Sequence, residues 1–365
     1  MTKVKDITRF LETIAPLSLQ ESYDNAGLIT GDPNMEITGV LCTLDSTEEI
    51  LAEAIEKKCN MVVAHHPIVF SGLKKLNGKN YVERTIIKAI KNDIAIYAIH
   101  TNLDNVQIGV NAMICNKLGI KNTSILASGK DSLLKLVSFV PVEHTDKILN
   151  ALGEAGAGAI GNYKNCSFSI EGEGRFQPDD AANPYIGEAG KLEKVKENKV
   201  EVIFPKSIKG KVMQALRNSH PYEEIAFDIY LLENRDKETG SGMIGELETA
   251  MPAIDFLHLV KEKMNCKSIR HTALLEKPIK KVAVCGGAGS FLLNYAIGAN
   301  ADIFITADYK YHQFFDADNK IIIADIGHYE SEQYTKELLA GWLREKFQHN
   351  SILVTERNTN PVYYL

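Results

Sequence analysis

Val62-Val63-Ala64-His65-His66-Pro67 is an apolar run that ends in two adjacent histidines and is stopped by a proline. Two other stretches share this build. Ile94–Ile99 runs into His100-Thr101-Asn102-Leu103-Asp104, and Ile321–Ala324 runs into Asp325-Ile326-Gly327-His328-Tyr329-Glu330-Ser331-Glu332. Short β-branched apolar runs of this kind read as buried strands. In an open parallel α/β sheet, sites gather beyond the carboxyl ends of the strands. His65, His66, Asp104, His328 and Glu332 therefore make a coherent candidate ligand set carried by three strand ends.

The flanking sequence supports that frame. Val4–Ala15 has its apolar residues at helical spacing, and the chain then predicts a strand over Ile37–Leu44 and a helix from the Asp45-Ser46-Thr47 cap to about Lys58. Strand Met61–Ala64, a helix to about Asn92, strand Ile94–Ile99 and helix Val110–Leu118, closed by Gly119, complete a β-α-β-α rhythm. The rhythm returns after about residue 245, with helix Ala253–Lys263, strands at Lys281–Cys285, Ile303–Thr306 and Lys320–Ala324, a long helix Tyr329–Phe347 and strand Ile352–Val354.

Between these halves the pattern loosens to β-α-β-β-α-β, a split ferredoxin-like order. Lys121–Ser132 and Asn234–Gly245 bound it as polar, Gly-containing stretches and read as flexible linkers. If the five ligands form one site, residues 1–127 and 240–365 make one discontinuous α/β domain with a mainly parallel sheet. Residues 128–239 are then an α+β insert.

Bulk properties exclude several classes. The 365 residues carry a formal net charge of -6, so no global basic field favours nucleic acid. No apolar run approaches the ~20 residues that span a bilayer, and Met1–Phe10 lacks the apolar core of a signal peptide. Six scattered cysteines without a CxxC pair fit reduced thiols, which points to the cytoplasm.

Imidazole and carboxylate donors together suit Zn, Fe, Mn, Co or Ni rather than a closed thiolate zinc site. His328 and Glu332 are four residues apart and share one helix face. Adjacent histidines more readily serve two neighbouring ions than chelate one, so two divalent metal ions per chain are expected. A water bridging such ions loses a proton near neutral pH, which implies metal-assisted hydrolysis. The sequence assigns no catalytic side chain. Three further features take the plainer reading. His100 reads as a structural or ligand-orienting residue rather than a ligand. Gly286–Ser290 lacks the full GxGxxG and reads as a tight strand-to-helix turn. His220-Pro221-Tyr222-Glu223-Glu224 reads as a structural turn rather than a second metal site.

Taken together, His65-His66-Pro67, the His100–Asp104 motif and Gly327–Glu332, with Asp24-Asn25-Ala26-Gly27-Leu28 near the start, resemble the Nif-three-like dinuclear metal-centre family. Its members are also called GTP cyclohydrolase I type 2 homologs. Ala26 departs from the valine expected there. The resemblance implies that the five residues above are the metal ligands and that the chain assembles into a ring-shaped homohexamer. It also implies that the middle segment is a PII/CutA-like insert. The implied activity is hydrolytic opening of the purine ring of a nucleotide such as GTP by a metal-bound hydroxide. The alternative is a metal-handling or regulatory hexamer without robust turnover.

Overall fold

Caps and apolar stripes decide where the helices start. In α1 (Val4–Ile14), Val4, Ile7 and Leu11 recur on one face and are fully buried. The computed structural model describes residues 1–129, 133–234 and 236–365. After α1 come β1 (Gly27–Thr30), β2 (Val40–Thr43), α2 (Glu48–Glu56), β3 (Met61–Ala64), α3 (Tyr81–Lys91), β4 (Ala95–Ala98), α4 (Thr101–Asp104), α5 (Val110–Leu118) and β5 (Lys121–Ser128). The middle of the chain gives β6 (Leu133–Pro141), α6 (Thr145–Glu154), β7 (Ser167–Phe176), β8 (Glu193–Pro205), α7 (Lys209–Ser219) and β9 (Phe227–Leu231). The last part gives β10 (Gly240–Met251), α8 (Ala253–Lys263), β11 (Arg270–His271), β12 (Ile279–Ala288), α9 (Leu293–Gly298), β13 (Ile303–Ala307), β14 (Ile322–Asp325), α10 (His328–Glu332), α11 (Thr335–Lys346) and β15 (Ile352–Val354). The Thr47 side chain caps α2 by accepting from the Ile50 amide, and Gly119 closes α5 in the left-handed region at φ 71°.

The chain divides into two compact units, Met1–Ser128 with Lys237–Leu365, and Gly129–Asp236. The first is an α/β unit with two sheets. One has the order β1-β4-β3-β2-β15, parallel except for β1. The other has the order β11-β14-β13-β12-β10-β5, with a parallel centre and antiparallel edges. The parallel strands expected in a single sheet are thus shared between two. Alternation along each strand explains how both sheets serve one core. Cys42, Met61, Val63 and Tyr97 from the first sheet join Val282, Val284, Ile303 and Ile322 from the second in one buried cluster, with α1, α5, α8 and α11 contributing to it. The opposite faces bury Leu41, Val62 and Ile96 under α2 and α3, and Ala283, Phe304 and Ile323 beside α9.

Two expectations need correction. The stretches read as flexible linkers hold β5 and β10, which pair antiparallel with Gly240 opposite Ser128; residues 130–132 and 235, which fall in the same stretches, lie outside the described residues. Small residues here serve close approach rather than freedom. A Cβ on Gly240 would lie 2.2 Å from the Ala127 carbonyl oxygen, and Gly240 has φ +145°. The long helix Tyr329–Phe347 is α10 and α11 in succession. Gln333 and Tyr334 join them in right-handed helical backbone, and the Gln333 side chain is tied to the Met264 carbonyl at 2.8 Å.

In the second unit the antiparallel sheet has the order β7-β8-β6-β9. Leu136, Val200 and Phe204 pack on its helix-covered face with Ile148, Leu152, Val212 and Leu216 of α6 and α7.

The β5–β10 register makes a deletion prediction. Because Ser128 and Gly240 are paired neighbours, a two-residue type I′ loop such as Asn-Gly can join them as a hairpin. Removing residues 129–239 in this way is expected to leave a soluble, cooperatively melting core that binds divalent metal. A soluble product without metal uptake would show that the first unit is not self-sufficient.

Candidate metal centre

All five candidate ligands lie beyond the carboxyl ends of parallel strands, His65 and His66 directly after β3, Asp104 in α4 after β4, and His328 and Glu332 in α10 after β14. β3 ends at Ala64, yet its pairing continues: the His65 amide donates to the Thr43 carbonyl at 3.2 Å and the His66 amide to Leu44 at 2.9 Å. Pro67 then turns the chain. His65 is fully buried, while His66 is partly open to a cleft. β4 delivers His100 as the cap of α4, whose last residue is Asp104. β14 delivers α10, with His328 and Glu332 one turn apart on the same face. Gly327 takes φ +93° between β14 and α10, and a Cβ there would meet Glu330 Oε2 at 2.3 Å.

These side chains converge. Glu332, 2 % exposed, is at the centre. Its Oε1 is 3.9 Å from His65 Nε2, and its Oε2 is 3.0 Å from His66 Nε2 and 3.1 Å from His328 Nε2. Asp104 Oδ1 is 3.7 Å from His65 Nε2. Three sets of donor atoms are close enough to hold an ion: His66 with His328 and Glu332; His65 with Asp104 and Glu332; and His65 with His66 and His100. His100, read from sequence as an orienting residue, thus reaches the cluster. Its ring centroid is 5.3 Å from both His65 and His66. The signal was present, since His100 follows β4 just as His65 follows β3.

Each histidine is fixed through its other ring nitrogen. His65 Nδ1 donates to the Ile99 carbonyl at 2.8 Å, His66 Nδ1 faces Asp45 at 2.7 Å, His100 Nδ1 faces Asp24 at 2.8 Å and His328 Nδ1 faces Asp308 at 2.7 Å. This arrangement sets tautomer and ring orientation, leaving each Nε2 aimed at the cluster. Asp24 entered the sequence reading only within the Asp24–Leu28 motif and Asp45 only as part of a helix cap, and Asp308 not at all, because a lone aspartate behind an imidazole carries no spacing signal. Gly286 and Gly287 are neither a phosphate cradle nor simply a turn. They extend β12 beside α10, and a Cβ on Gly287 would lie 2.6 Å from Glu332 Oε1. The glycine therefore makes room for the central carboxylate.

Charge balance follows from this packing. Burial opposes the ionised form of Glu332, but the His328 charge and the hydrogen bonds from His328 and His66 outweigh burial and hold it well below the usual carboxylate range. Burial and the neighbouring Glu332 charge push Asp104 upward. Asp24 is also buried, but hydrogen bonds from His100 and Thr101 dominate and lower it to about 2. That shift from the ordinary value corresponds to about 2 kcal/mol of stability. Asp24→Asn is expected to cost that amount at neutral pH. The depressed pKa contributes above the unfolded value near ~4 and is lost as pH falls through about 2. Urea melts of both proteins should therefore converge in acid; a constant gap would mean that the loss is steric.

A profile for Duf34/NIF3 (NGG1p interacting factor 3) matches residues 2–361. The chain belongs to that family. The GTP cyclohydrolase 1 type 2 homolog of Bacillus subtilis (strain 168) is 40% identical over 367 residues, covering 99% of this chain and 98% of that one. Among solved structures, a Bacillus cereus protein related to NIF3 superposes with a TM-score of 0.84 at 37% identity, covering 100% of this chain and 99% of that one. The Staphylococcus aureus protein SA1388 superposes with a TM-score of 0.78 at 32% identity, with the same coverage. This NIF3 protein has no helix, among the described residues, long and apolar enough to cross a membrane.

The NIF3 cluster opens into a cleft of about 1430 Å³. Tyr23, Phe70, Tyr81 and Phe291 give it aromatic walls. Among its lining residues Arg270 is the single arginine or lysine, and that guanidinium is already paired with Asp325 and the Tyr309 carbonyl.

Proposed function

We propose that this NIF3-family protein holds two divalent ions through His65, His66, Asp104, His328 and Glu332, and that it is a metal-dependent hydrolase of a nucleotide. One observation carries the metal reading. His65 Nε2 and Asp104 Oδ1 are both buried, lack any hydrogen-bond partner and face each other at 3.7 Å. Buried polar atoms are rarely left unpaired, because each forfeits about 1–3 kcal/mol of solvation. A cation between them supplies what both lack. Glu332 presents one oxygen to this pair and the other to His66 and His328, as a carboxylate shared by two ions would.

Bound ions of this class supply Lewis acidity and a water acidified toward neutral pH. The protein's own share is orientation. Asp45, Asp308 and the Ile99 carbonyl hold three imidazoles in place, and the aromatic walls of the cleft suit a flat heterocycle. A second reading, a metal-handling or regulatory binding protein, is favoured by the cleft's single, already paired arginine. A triphosphate would find little positive charge there beyond the metals.

Elemental analysis of protein purified without chelator is expected to find close to two divalent ions per chain. A folded protein that neither carries nor takes up metal would overturn the metal reading. Metal-loaded protein should open the purine ring of GTP, read as loss of purine absorbance that chelator abolishes. Loaded protein inert toward nucleoside mono-, di- and triphosphates would favour the binding reading. The ring-shaped homohexamer belongs to the same proposal, and sedimentation of the loaded protein tests it.

A further inference from the structure

We propose that the second unit carries a site of its own for an organic cation with an apolar body, seated against Tyr222, Tyr185 and Phe176 over the buried carboxylate of Glu197. A cavity of about 620 Å³ lies in this unit, within the range that accepts small ligands. Its floor is the sheet face opposite the helix-packed core, where Phe139 of β6, Glu197 and Lys199 of β8 and Ile170 of β7 sit side by side. The loop between β7 and β8 supplies Tyr185, and the turn after α7 supplies Tyr222.

The His220–Glu224 motif explains how Tyr222 comes to be there. Both ring nitrogens of His220 are occupied: Nε2 donates to the Phe139 carbonyl at 3.1 Å, and Nδ1 accepts the Tyr222 amide at 3.1 Å. That histidine is therefore a brace and not a ligand. It places Tyr222 with its hydroxyl donating to Glu197 Oε1 at 2.8 Å. The Tyr222 ring centroid is 6.2 Å from both Phe176 and Tyr185.

Glu197 is the unusual group. It is 7 % exposed, yet among the described residues no lysine, arginine or histidine pairs with it. Its seat is built, since a Cβ on Gly174 would lie 1.9 Å from Glu197 Oε2. A buried carboxylate without a counter-ion is costly, and a bound cation relieves that cost. Five glutamates line the cavity against one arginine and one lysine, and two of the five are themselves paired, Glu173 with Arg175 and Glu171 with Lys196 at 3.6 Å. Both cations are engaged, Arg175 by Glu173 at 2.9 Å and Lys199 by Glu201 at 2.6 Å. Aromatic faces beside an uncompensated carboxylate recognise alkylated or primary ammonium groups. The wall chemistry disfavours an anion, and a neutral apolar molecule would leave Glu197 uncompensated.

Titration calorimetry on the full chain tests this with three probes: choline, benzyltrimethylammonium and 3,3-dimethyl-1-butanol, the neutral isostere of choline. Both cations should bind saturably and the isostere at least about tenfold more weakly. Glu197→Gln should weaken choline by a similar factor. Phe176→Leu keeps an apolar side chain but removes a π face, and it should weaken choline several-fold while leaving the melting temperature near wild type. This second variant stands if Glu197→Gln fails to fold. Chelator should change none of these affinities, which separates this site from the metal centre. Equal binding of choline and its isostere, unchanged choline binding in a folded variant, or no saturable binding of either cation would overturn the proposal.

Discussion

Glu332→Ala is expected to reduce bound divalent metal from close to two ions per chain to one or none, with the affinity of any remaining ion down more than about 100-fold. Substituting a group that only orients a ligand costs roughly 10–100-fold in metal affinity, and Glu332 offers donor atoms to both groups. Its two oxygens lie 3.9 Å from His65 Nε2 and 3.0 Å from His66 Nε2. Gly287 on the facing strand has no side chain to offer in their place. Glu332→Gln should fare almost as badly, since an amide keeps one acceptor and turns a donor toward the other histidines. Glu330→Gln, on the same helix, is the control. Glu330 is tied to Asn360 rather than to the histidines and should leave metal content unchanged. Elemental analysis after dialysis reads all three. Full occupancy in Glu332→Ala would remove the shared carboxylate from the account.

The second large effect is a reversal of pH dependence on loading with metal. In the metal-free protein the Glu332 charge, against burial and with help from Asp308, raises His328 to about 11. Burial opposes charging of His66, but its hydrogen bonds to Asp45 and Glu332 outweigh it and raise His66 to about 9. Both pKa values are raised above the unfolded value near ~6.5. Their stabilisation is thus fully present below that pH and is lost as pH rises through about 9 and then about 11. The chelated protein should therefore melt lower at pH 10 than at pH 6.5, by several degrees; each kcal/mol moves the melting point of a unit this size by about 2–4 °C. In the loaded protein the histidines must be neutral to ligate, so protons compete with metal and acid destabilises instead. The two melting curves should diverge as pH rises. Parallel curves would mean that these histidines do not exchange protons for metal, and His66→Ala should flatten the difference.

The site was legible where chemistry and strand ends coincide. His65, His66, Asp104, His328 and Glu332 each follow an apolar run, and the structure brings all five into one cluster. His100 was set aside because one more imidazole needed no special explanation, and its approach to His65 and His66 depends on the turn at the start of α4. The aspartates behind the rings act across 20 to 76 positions of sequence, where no local pattern can show them. The α/β character was readable from alternating runs, whereas the division into two sheets was not. The two sheets meet in a core built from segments far apart in sequence, a contact that no single strand's residues reveal. β5 and β10 were missed because polar and small residues look alike in a linker and in a close backbone pairing.

The same division of the core among distant segments has a consequence for biosynthesis. Val4, Met61 and Tyr97 are made before Ile303, Ile322 and Leu343, with which they share one cluster. As domains fold during synthesis from the amino end, the middle unit can close while the first half of the outer unit still lacks its partners. His65 and His66 leave the ribosome more than half a chain before His328 and Glu332. Until those residues emerge, the nascent protein lacks Glu332, the carboxylate that lies in two of the three candidate donor sets.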